Sequence, residues 1–152
     1  MSDEVQLVVF RLGKEEYGVE ITQVREIIKM KEITRIPNAP EFVEGVINLR
    51  GQITTVTDLR KRLGVNGYKD NEQTRIIIVE LEDSTIGMIV DSVSEVLRLS
   101  KKDIDSTPEI AASFETKYVR GVGKLKDRLL ILLDLNKILK PRELRELKKI
   151  EG

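Results

Sequence analysis

The chain has 152 residues, 40% of them apolar and 34% charged, with 26 basic residues against 26 acidic, no cysteine and no histidine. That length buries a core without staples, and a formal charge of zero gives no general pull toward nucleic acid or an anionic membrane. Without cysteine or histidine there is no disulfide frame, no thiolate zinc site, no cysteine nucleophile and no imidazole base, so no cofactor or metal is expected.

In chain order, Met1-Ser-Asp-Glu4 carries no apolar run like a signal peptide, and no later stretch is apolar enough to span a bilayer, so the default compartment is the cytoplasm. Val5–Leu12 and Glu15–Glu20, joined at Gly13-Lys14, read as a hairpin. Ile21, Val24, Ile27 and Ile28 then fall at i, i+3, i+6 and i+7, which predicts a short helix with Arg25, Glu26 and Lys29 on its outer face. Two prolines around Asn38-Ala39 make Ile33–Pro40 an extended loop. Gly45–Arg50 and Gln52–Thr57 are strands meeting at Arg50-Gly51, Asp58 is placed to cap a short helix Leu59–Leu63, and Gly64 ends it.

Val65–Gln73, rich in Gly, Asn and Asp, reads as a linker. A second hairpin follows, Arg75–Glu82 with Ser84–Val90, and then a polar, irregular stretch Lys101–Phe114 containing Pro108. Tyr118–Leu139 repeats Phe42–Leu63 without gaps, with identities at Val43/Val119, Gly45/Gly121, Val46/Val122, Leu49/Leu125, Asp58/Asp134, Leu59/Leu135, Lys61/Lys137 and Leu63/Leu139. A shift of 69 residues likewise lays Leu81 on Leu12, Gly87 on Gly18, Val93 on Val24 and Glu95 on Glu26. The repeat therefore runs through both halves in one order, about 5–66 and 74–140, followed by a terminal helix over 141–150 with Leu144, Leu147 and Ile150 inward and Arg142, Glu143, Arg145, Glu146, Lys148 and Lys149 toward water. Short strands, turn glycines and duplication predict a mainly β fold, two small barrels sharing a hydrophobic core, with short helices.

Duplication provides an internal control. Asp58 and Asp134, present in both copies, read as helix caps rather than catalytic carboxylates. Positions that break the repeat are open to a special role: Glu44 against Arg120, Asn48 against Lys124, Arg50 against Lys126, Gly51 against Asp127. Arg50 is the sharpest of these, since a guanidinium at a strand turn makes bidentate contacts that lysine does not, although its plain reading is a solvated turn residue. Glu26 reads as a surface charge near Lys29, and Val24 as core. Arg60-Lys61-Arg62 is a short basic run with acidic neighbours, and 4% aromatic content leaves little for base stacking. Gly121-Val-Gly-Lys124 lacks phosphate-loop spacing. With no nucleophile, base or metal constellation, the residues favour a binding module over an enzyme.

Phe42-Val-Glu-Gly-Val-Ile-Asn-Leu-Arg-Gly51 followed by Asp58-Leu59 resembles the signature of the CheW family, the coupling proteins of bacterial chemotaxis; Glu16-Tyr-Gly18, Val24-Arg-Glu-Ile27, Pro37-Asn-Ala-Pro40, Gly87-Met-Ile-Val-Asp91 and Val93–Val96 add to the likeness, which covers Gln6 to about Leu147. The resemblance implies one CheW-like domain of two five-stranded SH3-like barrels. It also implies an adaptor between the cytoplasmic signalling tip of chemoreceptors and the regulatory domain of the histidine kinase CheA, recruited to receptor arrays at the inner face of the membrane without inserting into it. It carries receptor coupling onto Val24, Glu26, Ile27, Arg50 and Val96, with Glu26 and Arg50 either pairing with each other or orienting the partner, and kinase binding onto Gly45, Arg75 and Ile110, where Ile110 departs from the Phe of many relatives. Short ends favour a stand-alone chain over a CheW-like fragment of a CheA or CheV protein. A small-barrel RNA-binding protein is the rival of another class, and zero net charge speaks against it.

Overall fold

The computed structural model describes residues 3–81, 83–105, 118–140, 142–143 and 145–146. Two antiparallel hairpins open the halves: β1 (Glu4–Leu12) with β2 (Glu15–Glu20), and β6 (Arg75–Leu81) with β7 (Ser84–Val90). Each is followed by a third strand, β3 (Val24–Lys29) or β8 (Ser92–Ser100), and by a closing hairpin, β4 (Gly45–Leu49) with β5 (Gln52–Asp58) or β10 (Val119–Lys124) with β11 (Leu129–Leu133). The two-residue strand β9 (Ile104–Asp105) pairs with β10, and in the first half a single bridge from Thr34 to Val46 occupies the corresponding place.

The strands do not stay with their own half. One sheet runs β8-β1-β2-β11-β10-β9 and the other β3-β6-β7-β5-β4. Each curled sheet thus combines the opening hairpin of one half with the third strand and closing hairpin of the other, and the two together make the mainly β pair of SH3-like barrels. We call the first barrel I and the second barrel II. Barrel II closes where the chain beyond β3 returns to β4, Thr34 and Val46 exchanging N–H···O bonds of 2.9 Å.

Period-2 alternation divides the apolar residues between three cores. Leu7, Val9, Leu99, Leu130 and Leu132 fill barrel I, and Ile47, Leu49, Val56, Ile76, Ile78 and Ile89 fill barrel II. The opposite faces of the same strands, among them Val8, Phe10, Leu12, Ile77, Val79 and Met88, meet in a larger core between the barrels. Each fully buried Ile, Leu or Phe here contributes about 1.5–3 kcal/mol.

The helix predicted over Ile21–Ile28 is absent. Ile21–Gln23 form one 3-10 turn, and Val24–Lys29 are strand β3, paired antiparallel with β6. β-branched Val24, Ile27 and Ile28 suit a pleated surface, and a partner strand decides the matter. Asp58 does cap α1 (Leu59–Arg62), its carboxylate accepting from the Arg60 N–H at 3.0 Å. Residues 142, 143, 145 and 146 are helical, but Glu143 does not face water: it is buried, accepting from the Lys140 N–H at 2.8 Å and from Arg62 at 2.7 Å. Pro108, Ile110, Pro141, Leu144, Leu147 and Ile150 lie outside the described residues.

Candidate functional site: an arginine latch and its counterpart

Arg50 and Gly51 form the two-residue turn of the β4–β5 hairpin, with φ of 51° and 86°. Positive φ at both central positions matches the twist of a hairpin, and glycine adopts it freely where arginine does not. The Asn48 side chain accepts from the Gly51 N–H at 2.7 Å and holds the turn. From this tip the Arg50 guanidinium reaches Glu26 on β3 with both arms, one at 2.9 Å and the other closer still. β3 and β4 are the two ends of one sheet, so the pair bridges the seam at which barrel II closes.

Hydrogen bonds from Arg50 hold the Glu26 carboxyl below its usual range, outweighing its partial desolvation, and the charges of Arg50, Arg25 and Lys31 act in the same sense. Arg50 remains 69% exposed, so its outward N–H groups are open to a partner. Lysine in its place would lack the fork that grips one carboxylate and still offers further donors.

A counterpart exists in barrel I. Arg128, leaving the β10–β11 turn, bonds Glu95 on β8 at 2.9 Å and stands 2.6 Å from Glu16 on β2 and 3.2 Å from Asp127. Glu95 is the repeat partner of Glu26, so both barrels carry an Arg–Glu latch between third strand and closing hairpin. The gapless alignment set Lys126 against Arg50 and concealed this. Among the described residues, Arg128 has three carboxylates within reach and Arg50 has one.

The large apolar side chains exposed among the described residues follow the repeat as well. Ile27 (38%) and Val96 (51%) occupy matching places on β3 and β8, and Ile53 (65%) and Leu129 (64%) on β5 and β11. Ile27 stands opposite Ile77, and Val96 opposite Val8. Both partners belong to the core between the barrels, so Ile27 and Val96 carry that apolar face outward onto the edge strands.

Of the residues singled out for a receptor, Glu26 and Arg50 meet at the seam, and Ile27 is next along β3 but stands opposite Ile77 rather than Ile78, on the other face of the sheet. Val24 lies on the same strand but half-buried against the inter-barrel core, and Val96 is on the other sheet. The kinase-side residues are dispersed. Gly45 begins β4 and Arg75 begins β6, with β7 and β5 between their strands, and Ile110 falls outside the described residues.

One residue was passed over within a basic triplet. Arg60 is 2% exposed and bonds Asp58 at 2.9 and 3.0 Å, Asp70 at 2.7 Å and Asp91 at 3.1 Å, with its guanidinium 4.1 Å from the centre of the Tyr68 ring. Burial opposes its charge, and the hydrogen bonds and charges of the aspartates outweigh burial, so its pKa moves further up and it stays protonated. Its sequence signal was Asn136 at the matching place in the second copy. Among the described residues no acidic cluster is arranged to hold a metal ion, and no helix is long and apolar enough to cross a membrane.

Residues 6–143 match the CheW-like domain. The chain belongs to the CheW family. It is 40% identical over 139 residues to the chemotaxis protein CheW of Klebsiella aerogenes, covering 91% of this chain and 84% of that one, and 38% identical over 141 residues to CheW of Rhizobium meliloti, covering 93% and 90%. Among solved structures, the scaffolding protein TtCheW from Thermoanaerobacter tengcongensis matches with a TM-score of 0.81 at 40% identity, covering 90% of this chain and 88% of that chain. The match to TtCheW agrees with the two curled sheets, and CheW membership places the chain among chemotaxis scaffold proteins.

Proposed function

We propose that this protein is a non-enzymatic chemotaxis adaptor that joins the cytoplasmic signalling tip of chemoreceptors to the regulatory domain of the histidine kinase CheA, and that it is recruited to receptor arrays at the inner face of the membrane. The observation that supports this reading best is the exposed Arg50, gripped by Glu26 at a barrel seam, with the exposed Ile27 next along the same edge strand. An apolar helical tip would lay its aliphatic face against Ile27 and Val96, with Val24 beneath, while the open donors of Arg50 orient it through a carboxylate or carbonyl. Gly45, Arg75 and Ile110 belong to the kinase side in this reading, Gly45 through the course of its backbone. An adaptor without chemistry transmits a signal by binding the active and inactive states of its partners with different affinity.

Reconstituted arrays of receptor fragment, CheA and this protein test it. Arg50→Ala is expected to keep the fold by circular dichroism and to leave CheA activity unresponsive to attractant. A normal attractant response with Arg50→Ala would defeat the assignment of the receptor face, and a parent protein that binds neither partner would defeat the adaptor reading.

A further inference from the structure

The Arg60 cluster lies at the far end of β5 from the latch and joins parts of the chain that are distant in sequence. Asp58 ends β5 and Arg60 sits in α1, both in the closing hairpin region of barrel II. Tyr68 and Asp70 belong to the linker between the halves. Asp91 is the single residue between β7 of barrel II and β8 of barrel I, where the chain crosses from one to the other. Its second oxygen accepts the Gly13 N–H from the β1–β2 turn of barrel I at 2.7 Å, and its own N–H donates to the Arg11 carbonyl at 3.1 Å. One guanidinium therefore gathers barrel II, the linker and the crossover, and through Asp91 it holds the turn of barrel I.

We propose that Arg60 is a positioning residue that sets the angle between the two barrels. The core between them supplies most of the attraction, but apolar burial is non-directional and two greasy sheet faces can pack in more than one register. A buried cation with several fixed carboxylate partners is satisfied in one arrangement only, and breaking it leaves buried charge uncompensated. Lysine does not substitute, since a point charge on a flexible stem cannot hold Asp58, Asp70 and Asp91 at once. In the second half the matching position is Asn136, which carries no charge. The consequence for function rests on the adaptor reading: a fixed angle lets one chain engage receptor and kinase together in a defined geometry.

The absence of native cysteine makes the angle directly measurable. Spin labels at Ile53→Cys in barrel II and Leu129→Cys in barrel I, both exposed, report the inter-barrel distance by pulsed electron resonance. The parent is expected to give one narrow distribution. Arg60→Met and Arg60→Lys are expected to broaden it or split it while strand content persists. If Arg60→Met does not fold, Asp91→Ala at a partly exposed position carries the same expectation. A parent-like distribution in the folded variants, with only a lower melting temperature, would overturn the proposal. A second arm measures binding of a receptor fragment and of a CheA regulatory domain, separately and together. The variants are expected to bind each alone as the parent does, with simultaneous binding weakened on the order of 10-fold, inside the usual range of coupling between sites. Parent-like simultaneous binding would remove the functional half of the proposal. A parent that binds neither partner removes the adaptor reading instead, and the distance measurement then decides on Arg60 alone.

Discussion

Arg50 combines two properties that oppose each other. Its backbone is in the left-handed region that arginine avoids, and its side chain makes a two-armed contact that only arginine makes. Strain of this kind persists when the surroundings hold it, and here the hairpin, Asn48 and Glu26 all do. The Glu26 side of the contact carries a pH signature. Its carboxyl titrates below the ordinary 4.5 because of the hydrogen bonds from Arg50, so the folded state gains from the pair above that value and loses the gain as acid protonates Glu26. The melting temperature of Glu26→Gln is accordingly expected to lie below the parent at neutral pH and to approach it below pH 4.5. A gap that stays constant from pH 7 into acid would show that the ionised pair adds nothing to stability. The Arg128 latch shows that an Arg–Glu seam serves the barrel in both halves; what sets Arg50 apart is its single carboxylate and its exposure.

Among the elements, the seam between β3 and β4 has the least slack. A Cβ on Gly45 would lie 2.4 Å from the Thr34 carbonyl oxygen and 2.7 Å from a methyl of Ile33, against the very bridge that closes barrel II. Backbone cannot yield as a flexible side chain does, so Gly45→Ala is expected to cost about 2–3 kcal/mol and to abolish amide-exchange protection at Thr34 and Val46 first. Unchanged protection there would refute the steric account. This seam also shows what the sequence could and could not reveal. The hairpins, the Asp58 cap and the duplication were legible because turn glycines, alternation and a carboxylate before a helix are local signals. β3 was not, because a bulge between Val24 and Glu26 shifts its register and leaves apolar residues at helical spacing. The pairing of Glu26 with Arg50 was not legible from spacing and entered only as one of two options left open by the resemblance, because the two meet only when the ends of a five-stranded sheet curl together. Arg128 was hidden because the second hairpin closes Leu125 onto Arg128 around a Lys126-Asp127 turn, so the same place in space is reached from a different place in sequence. Arg60 looked like one member of a short basic run because its partners Asp70 and Asp91 are remote along the chain.

Across the whole molecule, neither barrel is encoded by one half. β1 and β2 need β8 and β11, and β6 and β7 need β3 and β5. Cleaved in the linker, residues 1–67 and 68–152 are therefore expected to be unstructured apart and to recover the parent circular dichroism when mixed, with a transition that rises in temperature with concentration. Either fragment folding alone with a cooperative transition would contradict the exchanged topology.

That exchange also has a mechanical meaning. The strand bearing Glu26 and Ile27 continues, through a single 3-10 turn, into β2 at the centre of the other barrel, and β8 continues from β7 through the single residue Asp91. A pull on β3 is thus borne by covalent backbone across the boundary, where two barrels merely pressed together would pass it through side chains free to slip. The molecule is built as a lashed joint rather than a pair of beads, with the backbone itself continuous across the boundary at both crossings.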